Sequence, residues 1–271
     1  MSTLNQNVLD KLRQEPKHPV LIGLSISSVI VLIVISNIYI PFNGLTQTGL
    51  QIAVNILGSI FTPNLEFLLD FQTKGGVPYL MLETMAIAFL GTIFGSLVSI
   101  PFAFMSSRNI MPKWMANSGV LFITIIRTFP AVVYGLMFIR VTGPGPFTGV
   151  LTLAVASIGM VSKLYIEVIE DLDPGITEAL DALGCNTIQK IQYGIIPQLM
   201  TNFISTAIYR FEINIKYATI LGMVGAGGIG APLIFAITAY RWGDAGALLI
   251  GLIVTVLIVE VISTRLRKKL A

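Results

Sequence analysis

Six long apolar runs dominate this sequence of 271 residues. A helix needs about 20 apolar residues to cross a bilayer, and helices and closed barrels are the structures that satisfy their backbone hydrogen bonds there. Charged residues make up 11% of the chain, against about 25% in soluble domains. We therefore expect an all-α integral membrane protein with about six transmembrane helices. The predicted spans are residues 20–40, 80–105, 120–139, 149–169, 200–224 and 245–263.

The distribution of lysine and arginine predicts the orientation of these spans, because cytoplasmic loops carry an excess of both. Eleven of them flank one set of span ends and three flank the other, so we expect the first set in the cytoplasm. The eleven are Lys11, Arg13, Lys17, Arg108, Lys113, Lys163, Lys190, Arg265, Arg267, Lys268 and Lys269, and the three are Lys74, Arg140 and Arg241. Both termini are then cytoplasmic.

The same pattern predicts the organisation of the chain. We expect a cytoplasmic segment at 1–19, a single transmembrane domain at 20–264 and a basic cytoplasmic tail at 265–271. Segment 43–78 lies outside in this arrangement, with short interfacial helices predicted at 50–57 and 65–71.

The segment 171–197 is polar although it joins two apolar runs. Asp173-Pro174 is typical of a helix start, and Gly184 suits the left-handed position that ends a helix. Asn186 or Thr187 is expected to cap a second short helix running to about residue 193, before Pro197 re-enters the bilayer. We expect Ile176, Leu180 and Leu183 near one face of the first helix, and Glu178 and Asp181 on another. The loop either docks into a groove on a partner or is an ordinary solvated loop.

The order of residues in this loop carries a resemblance to a known family. Glu178, Ala179, Gly184 and Pro197 match the pattern Glu-Ala-x-x-x-x-Gly, nine residues, x-x-x-Pro, which resembles the EAA loop of ABC-importer permeases. Leu180 stands where the family usually has Ala, Gly194 where it has Ile, and Ile196 where it has Leu. The resemblance covers about residues 75–265. Segments 145–151, 157–160, 163–167, 212–216 and 221–230 look like the phosphonate-permease branch.

The resemblance implies a fold, a set of partners and a function. The fold is that of an ABC type I importer permease in the bacterial cell membrane. Two permease chains, either two copies or this chain and a sister, form the pathway above a cytoplasmic ABC ATPase dimer. An extracytoplasmic phosphonate-binding protein delivers a phosphonate, phosphite or phosphate. The ATPase-coupling residues are expected to be Glu178, Ala179, Asp181, Gly184 and Pro197.

A glycine-rich segment follows the fifth predicted span. Gly225, Gly227, Gly228 and Gly230 fit G-x-G-x-x-G by letter, but a dinucleotide site needs a preceding strand and an acid about 20 residues on. We expect instead a helix break, which serves either close helix packing or an outer gate. No G-x-x-x-x-G-K-[ST] motif occurs in the sequence, so the chain is predicted to be a non-catalytic subunit.

A charged residue within a span costs about 2.5–3.5 kcal/mol on insertion scales, so each needs a reason. The candidates for a role in the pathway are Arg127, Arg210, Glu212 and Lys216. Arg127, Arg210 or Lys216 lines a passage for an oxyanion in one hypothesis. In the other they form structural ion pairs, Lys216 with Glu212, or Arg127 with Glu83 or Glu212. Span three is expected to bend at Pro130.

Other classes of function remain open at this point. They are an ABC permease for another ligand, such as an amino acid or a metal chelate, a secondary transporter with Glu212 as coupling acid, and an intramembrane enzyme. The single Cys185 and single His18 predict no internal disulfide, no metal site and no catalytic constellation. We expect no cofactor and no nucleic-acid partner.

Overall fold

The computed structural model describes residues 19–39 and 46–270, and those residues form helices and their connections without a strand. They fall into two compact units, which divide between residues 53 and 54. The basic segment predicted at 1–19, with His18, lies outside the described residues except for its last position. The helices are α1 (Pro19–Tyr39), α2 (Gln47–Ser59), α3 (Leu65–Leu68), α4 (Val77–Ser106), α5 (Lys113–Thr128), α6 (Ala131–Thr142), α7 (Pro146–Glu170), α8 (Pro174–Ala182), α9 (Thr187–Gln189), α10 (Ile196–Met223), α11 (Gly230–Thr238) and α12 (Trp242–Leu270).

Four described helices, α1, α4, α7 and α12, are long and apolar enough to cross a membrane. Helices α5 and α6 qualify together as a fifth, bent by 81° at the predicted Pro130. A rise of about 1.5 Å per residue also makes α10, with its 28 residues, long enough to span. It is more polar than the others because it carries Arg210, Glu212 and Lys216. The predicted all-α membrane fold is confirmed.

In the first unit, α1 presents apolar side chains to the surroundings on all sides. This is the pattern of a helix made to contact lipid or other helices. Helix α2 begins in this unit and continues into the second. Helices α2 and α3 fall where the two short interfacial helices are predicted.

The second unit is organised around close packing of α4 against α7. A Cβ placed on Gly91 would lie 2.6 Å from Leu153 Cβ, and one placed on Gly95 would lie 2.8 Å from the carbonyl oxygen of Ala154. One turn further along α4, the Ser99 hydroxyl donates to the carbonyl of Gly95 at 2.7 Å. Small residues at four-residue spacing let two membrane helices approach closely, which strengthens their van der Waals packing.

Helix α10 completes the core by packing against both members of this pair. At one end the Tyr165 and Phe203 rings lie 4.4 Å apart, and the Tyr165 hydroxyl donates to the Phe203 carbonyl at 3.2 Å. At the other end, residues of α4, α11 and α12 form a second apolar cluster. The core therefore runs along the whole length of α4 and α7.

We predict that Gly95→Val destabilises the protein, because the added side chain would have to push α4 away from α7. Overpacking of this kind costs about 1–3 kcal/mol. The thermal midpoint of the purified protein in detergent should fall by several degrees. Gly23→Val is the control, since a Cβ at Gly23 meets nothing within 4 Å. Equal midpoints for the two variants would contradict the close-packing account.

Candidate functional site

The polar loop begins with a helix whose two ends are both fixed by hydrogen bonds. Asp173 accepts from the backbone N–H of Gly175 at 2.9 Å and caps the start of α8. At the other end Gly184 has φ +75°, and the N–H of Cys185 donates to the carbonyl of Leu180 at 3.0 Å. A left-handed glycine followed by a hydrogen bond that spans five residues is a Schellman-type helix ending. The predicted start and end of the first loop helix are confirmed.

The second half of the loop differs from the prediction. Asn186 and Gln189 form a capping box, with bonds of 2.9 and 2.8 Å, so the predicted cap at Asn186 is confirmed. The helix does not stop near residue 193. It continues through a π-helical stretch, Lys190–Ile195, directly into α10. The physical reason is Pro197, which has no N–H and whose ring would clash with the Tyr193 carbonyl in a regular α-helix.

The apolar face predicted for the first loop helix is divided. Ile176 and Leu180 lie against Gly194 of the π-helical stretch, and Leu180 Cδ1 occupies the space that a Cβ on Gly194 would need. Leu183, the third residue of the predicted face, is instead 78% exposed. Two departures from the family pattern therefore compensate each other, because a large residue at 180 fills the space left by a small residue at 194.

The outer surface of the loop combines acidic and apolar groups. Asp181 pairs with Lys190 and holds the two halves of the loop together, so this carboxylate is partly neutralised. Glu178 and Ala179 are exposed, and Glu178 has no ion-pair partner within the described part of the chain. The large apolar side chains exposed beside them are Leu183, Ile188 and Tyr193.

A second site lies within the predicted membrane-spanning region. Arg127 of α5 and Arg210 of α10 line one pocket of about 240 Å³, where α5 bends into α6. The other lining residues are Ile126, Phe129, Pro130, Ala131, Ala156, Met160 and Tyr217. None of these is acidic, so the pocket has a positive field that a bound anion would balance.

Arg210 is 4% exposed and is held by neutral groups. Its Nε donates to Ser157 Oγ at 3.0 Å and its NH1 to Met160 Sδ at 2.8 Å. Asn214, one turn along α10, donates from Nδ2 to the same Ser157 Oγ at 2.9 Å and to Thr92 Oγ1 at 2.8 Å. A polar network therefore joins α4, α7 and α10 at the depth of the pocket. Buried networks of this kind specify one arrangement of the helices around them.

Arg127 is exposed and lies over the α7 backbone. A Cβ on Gly159 would lie 2.6 Å from Arg127 Cγ, so the glycine makes room for the arginine stem. The predicted alternative, an ion pair of Arg127 with Glu83 or Glu212, is wrong within the described residues. Glu83 accepts instead from the backbone N–H of Gly228 at 2.9 Å.

Glu212 lies on another side of α10, where its side chain is 13% exposed. It pairs with Arg267 at 3.1 Å and with Lys216 at 3.9 Å, so the predicted Lys216–Glu212 pair is present. Arg267 also lies 5.5 Å from the Tyr209 ring centroid. Lys216 does not line the pocket of Arg127 and Arg210. This ion-pair cluster ties α12 to α10.

The glycine-rich segment forms the predicted helix break between α10 and α11. Gly225, Gly227 and Gly228 have φ of +100°, +83° and +75°, which only glycine adopts readily. A Cβ on Gly227 would lie 2.8 Å from the backbone of Pro146. Gly230 also lies in close contact with the preceding helix, because a Cβ there would collide with the α10 backbone.

Side chains of α4 hold this segment. Glu83 accepts from the N–H of Gly228, and Thr84 Oγ1 accepts from the N–H of Ile229 at 3.0 Å. These are orphan amides at the start of α11, so α4 caps a helix that is distant in sequence. The glycines therefore serve close packing, one of the two predicted roles, while the outer gate remains a prediction.

Reasoning from the sequence missed Ser157, Asn214, Thr92 and Met160. Ser157, Met160 and Asn214 stand in segments that resemble the phosphonate-permease branch, so the signal was present but gave no role. Thr92 lies outside those segments, and nothing in the sequence around it indicated a role. No group of three or more His, Cys, Asp or Glu side chains in the described ranges is arranged to hold a metal ion.

Comparison with known protein families decides the class. Residues 99–271 match the family model described as "Binding-protein-dependent transport system inner membrane component". The chain belongs to this family. It is therefore a multi-pass permease subunit of an ABC importer in the cell membrane, and ATP hydrolysis belongs to a partner subunit.

Individual relatives agree with this assignment. The permease is 34% identical over 189 residues to a phosphite transport system permease protein of Stutzerimonas stutzeri, covering 69% of each chain. It is 44% identical over 118 residues to a protein of Escherichia coli strain K12 that carries the name of a cryptic phosphonate transport system permease. That match covers 44% of this chain and 97% of the relative.

The fold is also that of a solved transporter. A structure of the MetNI methionine ABC transporter in an inward-facing conformation matches with a TM-score of 0.63 at 18% identity. The match covers 70% of this chain and 94% of that chain. The type I importer permease fold is therefore confirmed. Permeases of this family work with an ATPase, a substrate-binding protein and a second permease.

We predict that Gly194→Ile alone opens the loop 171–197, because the new side chain collides with Leu180. Adding Leu180→Ala should restore the closed loop, since the pair then has the residue sizes usual in the family. Contacting residues of this kind show interaction energies of about 0.5–3 kcal/mol. Hydrogen–deuterium exchange over residues 173–197 should rise in the single variant and return in the double. Equal exchange in both would show that the two positions are independent.

Proposed function

We propose that this permease forms half of the pathway of an importer for phosphonates or related phosphorus oxyanions, such as phosphite and phosphate. The observation that carries the proposal is the pocket lined by Arg127 and Arg210 without a carboxylate. Guanidinium groups bind the oxygens of such anions through charge-assisted hydrogen bonds. The names of the relatives, a phosphite and a phosphonate permease, support the same class of ligand.

The proposed pathway also explains why Arg127 and Arg210 lie within the predicted membrane-spanning region. A charge within the membrane faces the bundle interior or a water-filled cavity, because lipid exposure is costly. Arg127 is exposed on the described chain, so its surroundings in the assembly have to be polar. We place it in the passage, where moderate affinity allows the anion to enter and leave.

The loop 171–197 is the proposed coupling element. Glu178, Ala179, Gly184 and the exposed apolar residues beside them would dock in a groove of the cytoplasmic ATPase, while Asp181 holds the loop closed through Lys190. The loop continues as a helix into α10, which carries Arg210. Movement of the docked loop is thereby transmitted to the pocket through α9, the π-helical stretch and α10, to which α8 is attached by the Asp181–Lys190 pair. ATP-driven closure would shift the permease between inward-facing and outward-facing states.

The orientation and partners follow from this role. The loop and both termini are cytoplasmic, the basic residues that end α12 lie on the cytoplasmic side, and 20–264 acts as one transmembrane domain. A phosphonate-binding protein delivers ligand from outside. The glycine break at Gly225, Gly227, Gly228 and Gly230 lies at the outer end of α10 in this orientation, where it serves as the proposed outer gate.

Other functions fit the geometry less well. A secondary transporter with Glu212 as coupling acid would need that carboxylate to exchange protons or ions, whereas it pairs with Arg267 and Lys216. A permease for an amino acid shares the fold, but the positive pocket has no carboxylate to receive an ammonium group.

We predict that Arg127→Gln and Arg210→Gln each lower uptake of labelled methylphosphonate at least about tenfold, because hydrogen bonds to charged groups contribute about 1.5–3 kcal/mol. Uptake is measured in cells that lack this chain and express each variant at equal membrane levels. Arg140→Gln, an exposed arginine at the end of α6, is the control. Normal uptake by Arg127→Gln would remove this residue from the pathway.

A further prediction concerns coupling. Glu178→Arg should weaken binding of the ATPase to the permease, because it reverses an exposed charge on the proposed docking surface. The ATPase is measured by co-purification with the tagged permease. Glu66→Arg on α3, outside the loop, is the control and should leave the complex intact. Equal recovery of the ATPase with both variants would argue that residue 178 does not dock.

A further inference from the structure

The hydrogen bonds of Arg210 differ in strength between the two sides of its guanidinium. On the Nε side, Ser157 accepts at 3.0 Å and is itself fixed by Asn214, which also bonds Thr92. Thr92 in turn donates to the Ala88 carbonyl at 2.6 Å. This chain of bonds fixes the stem of Arg210 against α4 and α7.

On the NH1 side the partner is the thioether of Met160 at 2.8 Å. A thioether sulfur is a weak acceptor, and NH2 has no hydrogen-bond partner among the described residues. A buried guanidinium with weakly satisfied donors gains more from an incoming oxyanion than one already paired with a carboxylate. Arg210 and its weak partner Met160 both line the pocket.

Met160 also stands beside the second arginine. Its neighbour Gly159 contacts the stem of Arg127, so two consecutive residues of α7 contact the two arginines. Tyr217 bounds the pocket near the Arg210 guanidinium, with its ring centroid 5.8 Å from Arg210 Cζ. Arg127, Arg210 and Met160 line the same pocket, so an anion bound there lies close to the thioether.

We infer that Met160 is the displaceable partner of Arg210 and sets the affinity of the pocket for its anion. This inference rests on the proposed function. Without an anion, the thioether accepts the hydrogen bond of NH1. An entering oxyanion replaces it as the acceptor, while Ser157 keeps the guanidinium in place. The thioether is a weak acceptor, so the anion can replace it and bind. The thioether still competes with the anion for NH1, which lowers the affinity and allows release.

The test uses two substitutions of similar size with opposite expected effects. Met160→Leu removes the acceptor, so the anion no longer competes for NH1 and should bind about three- to tenfold more tightly. Met160→Gln supplies a stronger acceptor, so the anion should bind more weakly by a similar factor. These factors correspond to the net contribution of one hydrogen bond. A purely structural role of Met160 would not reverse sign between the two variants.

Equilibrium binding of labelled methylphosphonate is measured on the permease–ATPase complex in nanodiscs, without the binding protein. Met200→Leu, an exposed methionine on α10 outside the pocket, is the control and should match the wild type. Opposite shifts for Leu and Gln at position 160 support the inference. If the wild type binds the anion but the two variants have unchanged affinities, or affinities shifted in the same direction, the inference about Met160 is wrong and the proposed function stands. Absence of anion binding and uptake in the wild type overturns the proposed function as well.

Discussion

The close approach of α4 and α7 is the interaction on which the rest of the second unit depends. Gly91 and Gly95 bring the two backbones so near that Ser157 lies against α4. Ser157 then accepts hydrogen bonds from both Arg210 and Asn214 of α10. A single small residue thus links helix packing to the placement of a buried positive charge. Without this approach, the polar network has no reason to form at this depth.

The structure also joins the loop to the pocket through one continuous element. The chain has no break between α9 and α10, since the π-helical stretch absorbs the missing hydrogen bond at Pro197. The loop helix α8 is attached to that stretch by Leu180 over Gly194 and by the Asp181–Lys190 pair. A force on the loop surface therefore acts on the helix that carries Arg210. This continuous link is the physical content of the proposed coupling.

Helix positions and the two ends of the first loop helix were predictable because they depend on local chemistry. Apolar length, the Asp173 cap and the left-handed Gly184 are properties of a few neighbouring residues. That Arg127 and Arg210 share one pocket was not predictable from the sequence, because it depends on the bend at Pro130 and on the rotation of α10. The role of Gly194 was also hidden, since its meaning comes from contact with Leu180. Tertiary contacts decided each of these points.

The central claim is that ATP hydrolysis by a partner drives an anion through this chain. The most direct measurement is uptake of labelled methylphosphonate into proteoliposomes containing this permease, its ATPase and its binding protein. The account predicts accumulation when ATP is present on the ATPase side, and none when ATP is replaced by a non-hydrolysable analogue. Accumulation driven by an ion gradient in vesicles that lack the ATPase would contradict it.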